Sequence, residues 1–402
     1  MSEWKDYKLG DVVDFQNGFA FKSSDFRYDG KYKIIRIKEL KNGSVKFFED
    51  TVSVSDEPNQ TMSKFLVNKG DVIFALTGDP VSKSNPNSWV GRVSLYMHNE
   101  SAYLNQRTCK ITQCGDVIPQ YVFYYFRHYD NFYSLASKAT GSASQANIST
   151  KTLEDSEIKL PSLKVQTKIV NILSSFDEKI ETNRKINARL EELAQAIFKS
   201  WFIDFEPFGG KMPEDWETGI LSDVLDLIKI PIKSSDVGSQ PYLPIDSIPM
   251  QKLGIEDFDK PENAQSSLIE FSKNDILIGA MRVYFHRVVI APFDGVTRTT
   301  CFVLRPKENI MLPYLLLLIN QDSTIKYADI TSKGTTMPYA IWENGLADME
   351  IKIPSSEKLS EFYHLMMPIV KKIRDGYKEL KNLASLRDSL LPKLMSGELI
   401  PE

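Results

Sequence analysis

The amino-acid sequence predicts an α+β fold in which two similar α/β-mixed domains are separated by two long antiparallel coiled-coil helices. Two observations lead to this prediction. The chain of 402 residues is self-similar, and each copy of the repeat runs into a long stretch whose apolar residues follow a helical period. A chain of this length also has room for more than one hydrophobic core.

An internal repeat relates the two halves of the chain. At a constant offset of 193 residues the matched pairs are Tyr121 and Tyr314, Gly141 and Gly334, Leu153 and Leu346, and Pro161 and Pro354. Further upstream the offset grows to 211 at two Lys-Ser-Ser-Asp segments, which begin at Lys22 and Lys233. Because the order of the matches is preserved, we expect two copies of one fold whose loops differ in length.

Each repeat carries strand and helix patterns. Residues 33–40, 71–76 and 92–97 are short β-rich runs and predict strands. Residues 120–138 follow Pro119 and predict a helix whose Tyr and Phe stripe belongs to the core. Cys109 and Cys301 lie in equivalent apolar runs, which favours buried strand positions over a metal site.

Two long segments, about residues 164–202 and their equivalent 193 residues later, have the heptad spacing of a coiled coil. We expect the two helices to pack antiparallel about a pseudo-two-fold axis, with Asn183 and Asn187 fixing their register. The alternative is that each helix lies on its own domain. Gly376 and Arg387 interrupt the second seam, and Pro368 predicts a kink. The predicted coiled-coil seam is Ile169, Leu173, Phe176, Ile180, Asn183, Asn187, Leu190, Ile197, Phe362, Ile369, Ile373, Leu380, Leu383 and Leu390.

Charge and composition exclude several classes of protein. The net charge is −4, with +1 over residues 1–159 and −7 over residues 212–352, whereas nucleic-acid binders usually carry a basic surface. The first residues have no apolar signal segment, and we expect a cytoplasmic protein without a disulfide framework or a metal site. The chain has no methyltransferase motif, no phosphate-binding loop and no plausible catalytic triad, so we expect it to be no enzyme by itself.

Several motifs resemble those of one known family. Residues 193–207 (LAQAIFKSWFIDFEP) resemble the end of the central conserved region in the specificity subunits (HsdS) of type I restriction-modification systems. Residues 394–399 (LMSGEL) resemble the end of the distal conserved region, and Trp4 with residues 9–12 (LGDV) resembles the start of a target-recognition domain. The resemblance spans essentially the whole chain.

The resemblance implies a division of the chain into four parts. Residues 1–159 would be target-recognition domain 1 and residues 160–211 the central conserved helix. Residues 212–352 would be target-recognition domain 2, and residues 353–402 the distal conserved helix.

The resemblance also implies a function. Each recognition domain would read one half of a bipartite, asymmetric sequence in double-stranded DNA, and the helices would set the spacer. The helices would also dock modification (methyltransferase) subunits, and we expect two of them. Restriction subunits with motor and nuclease activity would bind to the same complex. This chain would hold no cofactor itself, since S-adenosylmethionine, ATP and Mg would reside on the partner subunits.

Polar loops at equivalent places in the two repeats are the candidate DNA contacts, because base edges are read by Arg, Lys, Asn, Gln, Ser and Thr. An ordinary turn is the alternative for the glycine loops, and a helix cap is the alternative for the Lys-Ser-Ser-Asp segments. The candidates are Lys22, Thr77, Lys83, Arg92, Thr140, Gly141, Ser142, Gln145, Lys233, Arg282, Tyr284, Arg287, Lys333, Gly334, Thr335 and Thr336.

Two other functions stay open from the sequence. The strongly negative second domain favours a coiled-coil scaffold that binds proteins and not DNA. An enzyme with an unrecognised site is disfavoured by the missing motifs.

Overall fold

The computed structural model describes residues 4–41, 43–55, 61–81, 89–142, 145–265 and 267–401. The chain forms two compact units. The first consists of Met1–Asp177 and Leu386–Glu402, and the second of Glu178–Ser385.

The first unit holds the first copy of the repeat. Its strands are β1 (Lys5–Lys8), β2 (Val13–Asn17), β3 (Tyr32–Ile35), β4 (Leu40–Lys41), β5 (Ser44–Val45), β6 (Ser53–Val54), β7 (Leu66–Val67), β8 (Val72–Ala75), β9 (Thr77–Gly78), β10 (Val93–Leu95), β11 (Ala102–Leu104), β12 (Thr108–Cys114), β13 (Thr140–Ser142), β14 (Gln145–Asn147) and β15 (Glu157–Leu160). Its helices are α1 (Pro119–Arg127), α2 (Tyr129–Ala136), α3 (Thr150–Glu154) and the start of α4 (Leu163–Phe202), and it also holds the end of the last long helix, from Leu386.

The main sheet of this unit has the strand order β2-β12-β8-β10-β5-β4. Its central strand β8 is the apolar run VIFA, and all four residues are buried, as a short continuous apolar run predicts. Helix α1 packs on this sheet, since the rings of Phe74 and Phe126 lie 5.5 Å apart. A second sheet, β6-β3-β11-β7, and a small sheet, β13-β14-β9, complete the unit together with the β1-β15 pair.

The second unit repeats this plan. Its strands are β16 (Glu217–Ile220), β17 (Leu225–Leu227), β18 (Pro231–Ile232), β19 (Tyr242–Leu243), β20 (Leu268–Phe271), β21 (Ile276–Gly279), β22 (Val288–Ile290), β23 (Gly295–Arg298), β24 (Cys301–Pro306) and β25 (Glu350–Ile353). Its helices are α5 (Leu221–Val224), α6 (Leu312–Ile319), α7 (Asp322–Ile330), the rest of α4 and most of α8 (Ser356–Ser396). The sheets have the orders β17-β24-β21-β22, β18-β20-β23-β19 and β16-β25.

Equivalent contacts confirm the repeat and the predicted fold class of two similar mixed domains with two long helices. The hydroxyl of Tyr121 donates to the carbonyl oxygen of Lys159 at 2.9 Å. At the offset of 193 residues, the hydroxyl of Tyr314 donates to the carbonyl oxygen of Lys352. Cys109 in β12 and Cys301 in β24 are both buried, so the predicted strand positions are confirmed.

Two predicted elements are interrupted in the structure. The strand predicted over residues 33–40 breaks at the 3-10 turn Ile37–Glu39, because the buried Glu39 carboxylate accepts the backbone N–H of Arg36 at 3.1 Å. The helix predicted over residues 120–138 is divided into α1 and α2, because His128 has an extended backbone (ψ 132°) and forms the N-cap of α2.

The two long helices are continuous. Helix α8 runs unbroken through Pro368. In the second unit the helices pack antiparallel: Trp201 and Phe202 of α4 contact Phe362 of α8 at ring distances of 5.5 and 4.6 Å, and further back along α4 the Lys179 ammonium lies 3.8 Å from Glu379.

The helices also pack on the domain cores. In the first unit Ile169 and Leu173 of α4 and Leu394 of α8 belong to the core that includes α1. In the second unit Phe198 stacks on Tyr314 of α6 at 5.9 Å. Pairing between helices and packing on the domains therefore occur together. Each residue of the predicted seam is buried or half-buried.

Candidate nucleic-acid interface

A short hairpin lies at the end of the central strand in the first unit. Strands β13 and β14 pair antiparallel, and β14 pairs with β9, which begins at Thr77 directly after the central strand β8 and the single residue Leu76. The buried Thr77 hydroxyl donates to Asn147 Oδ1 at 2.8 Å. The hairpin thus brings together five of the predicted contacts, and Thr77 is hydrogen-bonded to it through Asn147. The five are Thr77, Thr140, Gly141, Ser142 and Gln145.

The second unit places an equivalent turn at the end of β21. Lys333 and Tyr339 exchange two backbone hydrogen bonds of 3.0 and 2.9 Å, and Met281 forms a bridge with Tyr339. The backbone N–H of Arg282 donates to the carbonyl oxygen of Pro338 at 2.7 Å. The predicted contacts Arg282, Lys333, Gly334, Thr335 and Thr336 therefore lie on two adjoining loops.

The glycines of the two turns are explained by backbone geometry. Gly141 has φ 142°, and a Cβ there would lie 2.3 Å from the carbonyl oxygen of Gln145. Gly334 has φ 92°, and a Cβ would lie 3.2 Å from the carbonyl oxygen of Met337. Both positions require glycine for the turn itself, while the exposed polar neighbours Thr140, Gln145, Thr335 and Thr336 face solvent.

Two of the predicted arginines have partners within the fold. The Arg92 guanidinium stacks over the ring of Phe132 at 4.2 Å, and burial lowers its pKa. Arg287 donates to the carbonyl oxygens of Ile245 at 3.0 Å and Asp246 at 3.2 Å, and also to that of Ile248. Arg287 therefore joins the loop after β21 to residues 245–248.

The remaining predicted contacts are exposed or undescribed. Lys22 and Lys233 are both exposed and precede equivalent 3-10 turns. Each turn has a serine hydroxyl that donates to the following aspartate, at 2.9 Å in the first unit and 2.7 Å in the second. Tyr284 is exposed, and Lys83 lies outside the described residues.

Three exposed apolar residues beside Arg282 and Lys333 were missed by sequence reasoning. Phe285, Met337 and Tyr339 lie on the two adjoining loops of the second unit. An apolar side chain in a sequence is expected in the core. The sequence could have indicated these three residues only through their position directly beside the predicted contacts. Behind Tyr339 a cleft of about 470 Å³ is lined by residues that include Thr299, Thr300, Phe302 and Trp342.

Among the residues that the structure describes, no cluster of His, Cys, Asp and Glu could hold a metal ion. Burial raises the pKa of the Cys301 thiol to about 12, and it raises that of the fully buried Cys109 thiol as well. Both thiols are thus protonated near neutral pH and are poor nucleophiles. No described helix is long and apolar enough to cross a bilayer.

Comparison with known proteins gives consistent relatives. The type I restriction enzyme MjaIX specificity subunit of Methanocaldococcus jannaschii is 29% identical over 330 residues, which cover 73% of this chain and 72% of the relative. The HindI specificity subunit of Haemophilus influenzae is 24% identical over 480 aligned residues, which cover 99% of this chain and 100% of the relative.

A solved structure shares the fold. The crystal structure of the type I restriction-modification S subunit from M. genitalium matches with a TM-score of 0.63 at 18% identity, over 100% of this chain and 97% of that chain. The model of the type I restriction modification DNA specificity domain matches this chain twice, over residues 1–192 and 213–381, one match for each copy of the repeat. The chain therefore belongs to the family of type I restriction modification DNA specificity domains.

Proposed function

We propose that this chain is the sequence-specific DNA-binding subunit of a type I restriction-modification complex, in which each domain reads one half of a bipartite, asymmetric site. The proposal is carried by one observation: the two units share their central strand and polar turn but differ in the adjoining loop. Both units place a polar turn at the end of the central strand, but the adjoining loop begins Thr77-Gly78 in one unit and Met281-Arg282 in the other. Different loops on one frame suit two different half-sites.

We assign catalysis to partner subunits. Two modification subunits would supply S-adenosylmethionine and methylate adenine, and restriction subunits would supply ATP- and Mg-dependent translocation and cleavage. In this proposal the helices α4 and α8 dock the modification subunits and set the spacer between the half-sites. The chain itself would bind and orient DNA and would have no catalytic group.

Methylation mapping and binding in one system test this proposal. The full chain is co-expressed with its modification subunits, and methylated adenines are mapped on the host genome. We expect one two-part motif, and binding to a duplex carrying it should weaken steeply as salt rises, because phosphate contacts release counterions. Replacing residues 1–150 with the corresponding segment of another family member should change only one half of the motif.

A protein-binding scaffold is the competing function, because residues 212–352 carry a net charge of −7. A scaffold would assemble with partners yet bind duplex DNA no better at low salt than at high salt. Absence of DNA binding by the assembled complex at low salt, or a change in both halves of the motif after the exchange, overturns the proposed function.

A further inference from the structure

Two aromatic side chains are held out into solvent by the loop after β21. Tyr284 is 49% exposed and Phe285 is 37% exposed, and their rings meet edge to face at 5.0 Å. The residue before them, Val283, is buried in the core. The loop thus anchors one apolar residue and presents the next two.

The conformation of this loop is unusual and is fixed by its surroundings. Arg282 (φ 49°) and His286 (φ 52°) flank the aromatic pair in the left-handed region, which side chains other than glycine rarely adopt. Backbone hydrogen bonds of 2.7 Å from Arg282 to Pro338 and of 2.8 Å from Gln251 to His286 hold both ends. Strained backbone that the fold holds in place is typical of functional surfaces.

The neighbouring turn extends the same surface. Met337 is 50% exposed and Tyr339 is 48% exposed, and they flank Pro338, which accepts the hydrogen bond from Arg282. We call Tyr284, Phe285, Met337 and Tyr339 the apolar tip. A group of exposed large apolar side chains on a folded domain usually marks a binding surface.

The apolar tip lies within the candidate DNA interface. It is continuous with Arg282 and with the exposed Lys333, whose positive charges suit a phosphate backbone. Arg287 contributes no free guanidinium to this surface, because it is bonded to three carbonyl oxygens of residues 245–248. Besides Lys333, the exposed side chains of the two loops are then the polar Thr335 and Thr336 and the apolar tip. The base feature that an apolar side chain recognises in the major groove is the methyl group of thymine.

We propose that the second domain reads its half-site through the apolar tip, and that thymine methyl groups are the features this tip recognises. This inference rests on the proposed DNA-reading function and adds the chemistry of one half-site. It requires at least one thymine at a position read by the second domain, and it assigns all four residues of the apolar tip to specificity.

Removing single methyl groups from DNA tests the proposal without altering the protein. The assembled complex is bound to duplexes in which each thymine of the second half-site is replaced in turn by uracil. We expect about a fourfold loss of affinity at one or more positions, the effect of one buried methyl group. The same replacements in the first half-site serve as the comparison.

Variants then locate the effect. Tyr284→Ala and Met337→Ala should each reduce the difference between thymine and uracil in the second half-site and leave preferences in the first half-site unchanged. Met250→Ala, at a methionine of the same domain that is 55% exposed, is the matched control and should leave that difference intact.

Three results would overturn the inference while leaving DNA binding itself established. Uracil could be tolerated at every position of the second half-site, or the tip variants could alter preferences in the first half-site. Alternatively, the tip variants could abolish assembly with the modification subunits without changing half-site preference, which would make the tip a protein-docking surface. Failure of the complex to bind DNA at all would instead contradict the proposed function.

Discussion

The Arg387 guanidinium donates a 2.6 Å hydrogen bond to the Asp177 carboxylate, joining the end of α8 to α4 within the first unit. The same carboxylate accepts the hydroxyl of Tyr124 at 2.8 Å and lies 3.4 Å from the Arg127 guanidinium, both of α1. Arg387 therefore interrupts the apolar seam because it links both long helices to the recognition domain.

The second copy of the repeat has uncharged residues at the positions equivalent to Asp177 and Arg387. At the offset of 193 residues Asp177 corresponds to Val370, and Arg387 corresponds to Ala194. Both of these residues are buried in the core of the second unit. An ion pair in one copy and an apolar pair in the other thus occupy equivalent positions. The residues of one copy can therefore be substituted into the other as a test.

Asp177→Asn should destabilise the first unit, because two partly buried arginines lose a shared counter-charge. Arg127 would lose its ion-pair partner, whereas among the described residues Arg387 would keep only the exposed Asp388 at 2.8 Å. We expect the free energy of unfolding, measured by denaturant titration, to fall by about 2 kcal/mol. The double variant Asp177→Val with Arg387→Ala, which copies the second unit, should recover part of that loss. Equal destabilisation by the two variants would show that an apolar pair cannot replace the ion pair between Asp177 and Arg387.

Gly376 permits close approach of the helices in the second unit. A Cβ at this position would lie 2.2 Å from Asn187 Oδ1. Gly376→Ala should therefore lower the free energy of unfolding by about 2 kcal/mol through overpacking, even though alanine favours a helix by about 1 kcal/mol over glycine.

Removal of the facing side chain provides the control for that variant. In an Asn187→Ala background the clash is absent, and Gly376→Ala should become stabilising. Asn187 Nδ2 has no hydrogen-bond partner among the described residues, so its loss leaves no acceptor unpaired. A Gly376→Ala effect of the same sign in both backgrounds would show that Asn187 does not limit the helix spacing.

Glu191 gives the second unit a pH-dependent contact. Its carboxylate accepts the backbone N–H of Leu253 at 2.9 Å and the Tyr377 hydroxyl at 3.0 Å, and burial raises its pKa above the ordinary glutamate value. The folded state therefore binds the proton more tightly than the unfolded state, and stability falls as pH rises from the unfolded pKa through the folded one.

Glu191→Gln should remove this part of the pH dependence, because the amide can still accept both hydrogen bonds but does not ionise. Thermal unfolding from about pH 4 to pH 7, a range set by the glutamate pKa, should show the variant gaining stability relative to the parent as pH rises. Parallel pH profiles for the two proteins would mean that Glu191 does not titrate in this range.

Local sequence patterns predicted the repeat and its turns better than they predicted the polar contacts of this protein. The offset of 193 residues located Gly141, Gly334 and the turns around them, because equivalent backbone geometry requires equivalent residues. The bond from Leu253 to Glu191 joins residues far apart in sequence, and such a contact leaves no periodic signal. Met337 and Tyr339 were missed for a related reason: an apolar residue indicates burial unless the fold is known.

Lys333 should contribute to DNA affinity through phosphate contact and not through base reading. Lys333→Ala should weaken binding of the assembled complex to cognate and unrelated duplexes by similar factors, because a phosphate contact carries no sequence information. The slope of log affinity against log salt should become shallower by about 0.9, the value for one phosphate contact. Lys211→Ala, at an exposed lysine outside the candidate interface, should leave the slope unchanged. A Lys333→Ala effect limited to one base pair of the cognate site would instead make this lysine a base-reading residue.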